Sequence, residues 1–343
     1  MKQETVAIGM SGGVDSSVGA YLLKEEGYNV IGITMKLIND EKTNLAIKDA
    51  KRVCQELGIK HHIIDVSKEF KEIVINNFIS AYKSGKTPNP CVVCNKYFKF
   101  GLFIKKSEEL GATKIATGHY AKIENNKLKM ATTKEKDQSY FLYGINKDLL
   151  SKIIFPLSEY ENKDKVREIA QKLNLSTKGK KDSQEICFIE DNNYINFLKE
   201  NIKEPIKTGE ICLNDDTVLA THNGIINYTV GQRKGLGISY KEPLYVTDIN
   251  ANTNKIIVGS NADLYKNTLI ATDINLLTNN LPTEVYAKIR SRAMPSKATV
   301  TILNNKLIVT FQEAQRAITK GQSVVLYDKD DYVLGGGIIE EII

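Results

Sequence analysis

Apolar positions in the first half of the chain alternate between two textures. Short runs, Val6-Ala7-Ile8-Gly9, Val30-Ile31-Gly32-Ile33 and Ile63-Ile64, are separated by stretches with helical spacing at residues 18–26 and 45–57. A continuous apolar run predicts a strand buried on both faces and a 3.6-residue period predicts a helix, so the rhythm is βαβαβ, a parallel sheet covered by helices. A long helix is expected around residues 69–82, then the proline-bearing loop Thr87-Pro88-Asn89-Pro90, a helix over 95–110 and a strand at Lys114-Ile115-Ala116-Thr117. Helices are expected to continue to about residue 201. Beyond Pro205 the pattern becomes short alternating segments separated by Gly, Asn and Asp, such as Lys306-Leu307-Ile308-Val309-Thr310-Phe311 and Ser323-Val324-Val325-Leu326-Tyr327. These predict small antiparallel barrels. The expected class is α/β: a parallel-sheet domain over 1–200, a small central domain over 201–264 and a C-terminal β-barrel over 265–343.

Composition narrows this picture. With 343 residues, 42% hydrophobic and 26% charged, the chain carries enough apolar material for two or three globular domains. No run approaches the roughly 18 apolar residues of a membrane span. The start Met1-Lys2-Gln3-Glu4 leads directly into a strand, so a cytoplasmic protein without a signal peptide is expected. The 47 Lys+Arg against 41 Asp+Glu give a net charge of +6, compatible with a nucleic-acid partner without requiring one. Five cysteines, Cys54, Cys91, Cys94, Cys187 and Cys212, are an odd number that argues for reduced thiols. Cys54 shares helical spacing with Ala46, Ala50 and Leu57 and reads as core, as does Cys212 in a short strand.

The sharpest chemistry lies in Ser11-Gly12-Gly13-Val14-Asp15-Ser16-Ser17, between the first strand and the first helix. Two glycines let backbone N–H groups turn toward an anion, the serines add hydroxyls and the helix dipole favours negative charge. Asp15 cannot bind phosphate and suits Mg²⁺. No lysine stands in a Walker A position and Gly-x-Gly-x-x-Gly is absent, which disfavours a P-loop NTPase and a dinucleotide fold.

This loop resembles that of the PP-loop ATP pyrophosphatases, whose adenine nucleotide α-hydrolase-like sheet domain the resemblance implies here. Further segments narrow the resemblance: Thr87-Pro88-Asn89-Pro90-Cys91-Val92-Val93-Cys94-Asn95-Lys96, Ala116-Thr117-Gly118-His119-Tyr120, Lys136-Asp137-Gln138-Ser139-Tyr140, Asp182-Ser183-Gln184-Glu185-Ile186-Cys187-Phe188-Ile189 and Tyr228-Thr229-Val230-Gly231-Gln232-Arg233-Lys234-Gly235-Leu236-Gly237. Together they resemble the bacterial-type tRNA 2-thiouridylases. The resemblance implies ATP and Mg²⁺, adenylation of the C2 oxygen of the wobble uridine (position 34) of tRNA, attack by sulfur, and release of AMP and pyrophosphate. It implies ATP binding at Gly9, Met10, Ser11, Gly12, Gly13, Val14, Asp15, Ser16, Met35 and Gly118. It implies tRNA contacts, centred on the anticodon stem-loop, at Asn89, Pro90, Cys91, His119, Lys136, Asp137, Gln138, Arg290, Ser291, Arg292 and Gln322.

The thiols carry the sulfur chemistry. Cys94 is expected at a helix start near Lys96 and Lys99, which would lower its thiol pKa. Cys187 reads either as a residue at the mouth of a site or as a small buried hydrophobe. The resemblance makes Cys187 the persulfide-bearing residue and Cys94 its paired nucleophile, with a disulfide bond among the family's features. Where many relatives carry aspartate this chain has Cys91, so Cys91, Cys94 and Cys187 are also candidate ligands of a [4Fe-4S] cluster with one open iron. Persulfide transfer with Cys91 a bystander is the rival. A sulfur donor is required in either case: a cysteine desulfurase, a relay protein or inorganic sulfide.

His119 follows Thr117-Gly118 at a strand end, where open α/β sheets hold ligands. Lys178, Lys180, Lys181, Arg233 and Lys234 are candidate phosphate-backbone contacts. Two other readings remain: a PP-loop synthetase acting on a small molecule, which would need an ammonia source, and an RNA-binding protein that keeps ATP binding without chemistry. Both would be indifferent to loss of Cys94.

Overall fold

The computed structural model describes residues 4–180, 186–189 and 193–343. β1 (Thr5–Gly9), α1 (Val14–Glu25), β2 (Asn29–Lys36), α2 (Glu41–Glu56) and β3 (Lys60–Asp65) follow the expected rhythm. Asp40 caps α2 by accepting the Thr43 N–H at 2.6 Å, an interaction worth about 1 kcal/mol. A helical rod comes next, with α3 (Ser67–Phe70) and α4 (Asn76–Lys83) flanking a π-helical turn at Lys71–Ile75. A second rod joins α5 (Pro90–Cys94), a π-helical stretch at Asn95–Leu102 and α6 (Phe103–Glu109), and leads to β4 (Lys114–Ala116).

Past β4 the expected run of helices does not form. The chain makes a hairpin of β5 (Lys122–Glu124) and β6 (Lys127–Lys129), three 3₁₀ turns and β7 (Ile153–Ile154) before α7 (Lys163–Lys172) and α8 (Tyr194–Asn201). Asn125 and Asn126 turn the hairpin with φ of 51° and 57°, a conformation that a two-residue hairpin loop demands and asparagine tolerates.

The sheet is parallel throughout, in the order β3-β2-β1-β4-β7. Neighbours of β1 lie on opposite sides, so the strand order reverses between β1 and β4 and opens a crevice at their carboxyl ends. Alternate β1 side chains serve two cores. Val6 and Ile8 meet Val18, Leu23, Val53 and Val166, and Ala7 meets Ile31, Ile33, Phe103 and Ile115. Cys54 lies in the first of these, as its helical spacing predicts, and burial pushes its thiol up to about 12.

The central region comprises β8 (Gly209–Cys212), β9 (Val218–His222), β10 (Tyr245–Asn250) and β11 (Lys255–Gly259), in the order β10-β11-β8-β9. Its β11–β8 pair is parallel, so the purely antiparallel expectation fails here. The last six strands, β12 (Tyr265–Leu276), β13 (Glu284–Lys288), β14 (Ser296–Leu303), β15 (Lys306–Arg316), β16 (Ser323–Tyr327) and β17 (Val333–Ile342), close into an antiparallel barrel. It seats against the first domain: the Tyr140 hydroxyl donates to Ser323 O at 2.8 Å, and Asn275 Nδ2 donates to Tyr143 O at 2.6 Å. Gln322 Nε2 donates to Thr87 O at 2.8 Å, which fastens the barrel to the loop leading into Cys91. Among the described residues no helix is long and apolar enough to cross a membrane.

Candidate active site

The loop after β1 is a formed anion cradle. Gly12 has φ +70°, and a Cβ there would stand 2.4 Å from Ala46 O, so only glycine fits. Gly13 caps α1 without a side-chain hydrogen bond, which leaves first-turn N–H groups of the helix to a ligand. The serine hydroxyls tie the loop together: Ser11 Oγ and Ser16 Oγ are 3.1 Å apart, and Ser17 Oγ donates to Gly13 O at 2.7 Å. Met10 is buried in the core, so it offers the crevice no side chain; its N–H donates to Ile33 O at 2.8 Å. Met35, half-buried, lies near the carboxyl end of β2. Asp15 is doubly engaged, accepting from the Tyr120 hydroxyl at 3.1 Å and from Lys163 Nζ at 2.8 Å.

From β4 the Thr117-Gly118-His119 loop presses against this cradle. A Cβ on Gly118 would lie 3.1 Å from Asp15 C and Ser16 N, so the backbones meet where the strand order reverses. His119 is buried beside the rings of Phe100 and Phe155, and burial holds its pKa well below the usual histidine range, with Lys99 adding to the effect. The neutral ring accepts Lys99 Nζ at Nε2 (3.3 Å), so Nδ1–H donates to Thr117 Oγ1 (2.7 Å).

Lys99 connects this loop to the thiols. Cys91 and Cys187 reach solvent, Cys94 is buried, and all five cysteines are free. Cys91, Cys94 and Cys187 face one another closely enough for their charges to interact. Desolvation pushes all three thiols up, Cys187 to about 12, and Lys99 works against it in each. Solvent access at Cys91 and Cys187 coexists with this because protein lines the other sides of their sulfurs. The expected lowering at Cys94 is therefore reversed. Pro90, not Cys94, starts the helix, and Cys94 packs in the apolar cluster of Phe70, Phe78 and Phe98. Cys187 is held at the cleft by its neighbour: Phe188 packs on Phe70, Phe78 and Phe197 at centroid distances of 5.9, 5.4 and 5.2 Å.

Three family models match the chain in order: a tRNA methyl transferase HUP domain at residues 4–191, a tRNA methyl transferase PRC-barrel domain at 195–260 and an aminomethyltransferase beta-barrel domain at 266–339. The tRNA-specific 2-thiouridylase MnmA 2 of Clostridium botulinum (strain Langeland) is 49% identical over 355 residues, covering 100% of both chains. This chain belongs to the tRNA-specific 2-thiouridylase family. The enzyme of Clostridioides difficile (strain 630) is 48% identical over 98% of each chain. Among solved structures, the U34-tRNA thiolase NcsA from Methanococcus maripaludis with its [4Fe-4S] cluster is similar with a TM-score of 0.37 and 24% identity, over 57% of this chain and 63% of that one.

As a 2-thiouridylase the chain is a tRNA-modifying sulfurtransferase of an ATP-using family, and its cradle fits the phosphates of that nucleotide. Asp15 fits a metal less well, since both carboxylate oxygens already have partners. Among the described residues no three His, Cys, Asp or Glu side chains are placed to share a single metal ion; a [4Fe-4S] cluster, which takes each thiolate on a separate iron, would be held by Cys91, Cys94 and Cys187.

The residues expected to touch tRNA divide into outward and inward groups. Lys136, Arg290 and Arg292 are exposed, with Ser291 half-buried between the arginines, and Arg233, Lys234 and Lys178 are also exposed. Asp137 instead accepts the Ala131 N–H at 3.0 Å and the Ser139 hydroxyl at 2.8 Å. Gln138 accepts the Tyr120 N–H at 2.9 Å, Gln322 reaches Thr87, and Lys180 pairs with Asp49. Asn89 and Pro90 start the cysteine helix as its cap and first residue. Lys181 and the Asp182-Ser183-Gln184-Glu185 segment lie outside the described residues. Sequence reasoning missed Lys163, Thr177, which donates to Ser17 Oγ at 3.1 Å, and the Tyr120 bond to Asp15. Tyr120 was readable as the end of the Ala116-Thr117-Gly118-His119-Tyr120 segment, whereas nothing local marks the other two.

Proposed function

We propose that this 2-thiouridylase adenylates the C2 oxygen of the wobble uridine at position 34 of tRNA and replaces that oxygen with sulfur carried by Cys187. One observation carries the reading. Lys99, whose charge bears on the thiols, contacts His119, and the adjacent Gly118 backbone meets the anion cradle, which supports sulfur and nucleotide chemistry acting in one region.

The cradle and α1 receive the phosphates of ATP, and Met35 stands beside them for adenine. Mg²⁺, when bound, would add charge compensation for the pyrophosphate. Uridine O2 attacks the α-phosphorus and pyrophosphate leaves, which turns a poor leaving oxygen into a good one. Cys187 receives a terminal sulfur from a persulfide donor such as a cysteine desulfurase or a relay protein. That sulfur, deprotonated, attacks C2 and AMP departs. Cys94 then attacks the Cys187 sulfur, breaking its bond to the transferred atom, so 2-thiouridine is released and a Cys94–Cys187 disulfide forms. A thiol reductant restores both cysteines, which balances the electrons.

Recognition of an unpaired anticodon base suits a pocket that receives a splayed nucleotide, with Arg290, Arg292 and Lys136 on the phosphates and Asn89, Pro90, Cys91 and His119 near the base. Asp137, Gln138 and Gln322 shape these loops from within. A cytoplasmic location follows from the tRNA substrate. The deciding experiment incubates the protein with ATP, tRNA and a persulfide donor and analyses nucleosides by mass spectrometry. Expected products are 2-thiouridine, AMP and pyrophosphate; ADP and phosphate would overturn the adenylation step.

A further inference from the structure

The segment that joins α4 to the cysteine helix α5 is met by both other regions of the fold. Gly85, at φ +71°, lies on β10 of the central region: a Cβ there would stand 2.9 Å from Ile249 Cγ2 and 3.0 Å from Ile249 O. Lys86 Nζ donates to both carboxylate oxygens of Glu340 in β17, at 2.7 and 2.8 Å. Thr87 gives both backbone groups to the barrel, its N–H donating to Lys320 O at 2.9 Å and its carbonyl accepting from Gln322 Nε2. Gly321 allows this close approach, since it has φ +89° and a Cβ there would stand 3.0 Å from Thr87 N and from Lys86 Cβ. β17 holds the gripping turn: the Gly321 N–H donates at 2.8 Å to the carbonyl of Ile339, the neighbour of Glu340. Lys320 Nζ also donates to Asp248 of β10 at 2.8 Å, so barrel and central region are joined at the same place.

The chain beyond Thr87 is stiff. Pro88 and Pro90 each fix a φ, and the residue before each is confined to extended backbone, as Asn89 is at φ −113° and ψ 93°. A shift of Thr87 is therefore carried to Asn89 and the start of the cysteine helix instead of being absorbed. On the barrel side, Lys288 of β13 lies opposite Val325 of β16 in antiparallel register, so the chain continues to the exposed Arg290 toward the Ser323 end of β16, where the gripping turn ends.

We propose that Lys86 and Glu340 are positioning residues for thiolation, clamping Thr87 against the Gly321 turn so that the barrel sets where the Asn89-Pro90-Cys91 corner stands against the wobble base. Neither residue touches the substrate. The inference rests on the reading that this corner receives the base, and deepens it by giving the barrel a part in the chemical step besides tRNA binding. The two side chains are 30% and 37% exposed, where an ion pair contributes little to stability, so its loss is felt in geometry before it is felt in folding.

The test uses full-length protein carrying Lys86→Glu, Glu340→Lys, the double swap or Lys86→Met. Three quantities are read: melting temperature, hydrogen exchange in peptides covering residues 84–94, and the single-turnover rate of 2-thiouridine formation at saturating ATP and tRNA. Each charge reversal is expected to melt within about 4 °C of wild type and to exchange faster over 84–94 but not in peptides of β1. It should also thiolate at least about tenfold more slowly, since misplacing reacting groups by about 1 Å can cost 100-fold. The double swap is expected to return the rate to within about threefold of wild type. Lys86→Met removes the pair without adding repulsion; it should slow thiolation by about threefold or more, and it stands in for a reversal that fails to fold. Rates within about twofold of wild type in the folded single variants would overturn the proposal. So would a double swap as slow as its parents, because the effect then does not belong to the pair, or a raised KM for tRNA with an unchanged rate at saturation. The exchange measurement involves no tRNA: unchanged exchange over 84–94 overturns the proposal even where wild type thiolates, whereas a wild-type protein that forms no 2-thiouridine refutes the reading beneath it.

Discussion

Lys163 Nζ lies 2.8 Å from Asp15 Oδ2 and joins two residues 148 positions apart, the first at the start of α7 and the second in the anion cradle. A carboxylate at that place would repel pyrophosphate if left bare; paired with an ammonium it presents a neutral unit that can reorganise around the departing anion. Asp15→Asn and Lys163→Ala are therefore each expected to lower pyrophosphate release by about 100-fold or more, with tRNA affinity within about twofold because the barrel is untouched. Undiminished pyrophosphate release in either variant refutes the role.

The cysteines are expected to be unequal. Cys94→Ala and Cys187→Ala should abolish 2-thiouridine formation, while Cys91→Ala should keep at least about half of the wild-type rate, since persulfide exchange needs two sulfurs. Anaerobically purified protein should contain no stoichiometric iron. Iron and sulfide in the wild type, both disappearing along with activity in Cys91→Ala, would instead establish a cluster.

Phe188 anchors the position of Cys187. Phe188→Ala removes ring packing against Phe70, Phe78 and Phe197 and should destabilise the fold by about 3 kcal/mol. Thiolation should fall more than adenylation, because the cradle lies in a different core. Equal losses in the two assays would argue against a positioning role.

Buried neutral groups set the pH limits of stability. His119 has its folded pKa depressed, so the unfolded state binds the extra proton, and its contribution is lost as pH falls below the unfolded value of about 6.5 toward the folded one. The thiols are raised, so their contribution is lost as pH climbs above about 8.5, where unfolded cysteine ionises. Urea midpoints measured from pH 5 to pH 10 should trace a dome. In His119→Asn the acid limb should flatten; an unchanged acid limb would assign the loss to other groups.

Arg290 and Arg292 stand exposed after β13. Replacing both with alanine should weaken tRNA binding and reduce the slope of log affinity against log salt by roughly 0.7 for each phosphate no longer neutralised. Adenylation of bound tRNA at saturation should be unaffected. An unaltered salt slope would remove both residues from the interface.

Local sequence determined a great deal about this protein. The apolar runs at Val6-Ala7-Ile8 and Val30-Ile31-Gly32-Ile33 have one use, strands buried on both faces, and Gly12-Gly13 between strand and helix has one economical geometry, an anion cradle. Such features depend on neighbours a few residues away, so spacing and residue type are enough to read them. The stretch from Tyr120 to Phe155 is different: its apolar residues are buried individually in turns, with no period of their own, and the helical expectation there fails for that reason.

Tertiary structure alone decided the charge states and the pairings. By sequence Cys94 is a thiol lowered by lysines, yet packing among Phe70, Phe78 and Phe98 puts desolvation ahead of the Lys99 charge and reverses the sign. The resemblance gives Asp137, Gln138 and Gln322 as tRNA contacts, and only the fold shows that their side chains also bond Ala131, Tyr120 and Thr87 of the protein itself. Asp15 received Lys163, and Lys99 received His119, partners that no neighbouring residue announces. Desolvation and long-range contact depend on which surfaces meet after the chain has folded, and that information is not stored at any one position along it.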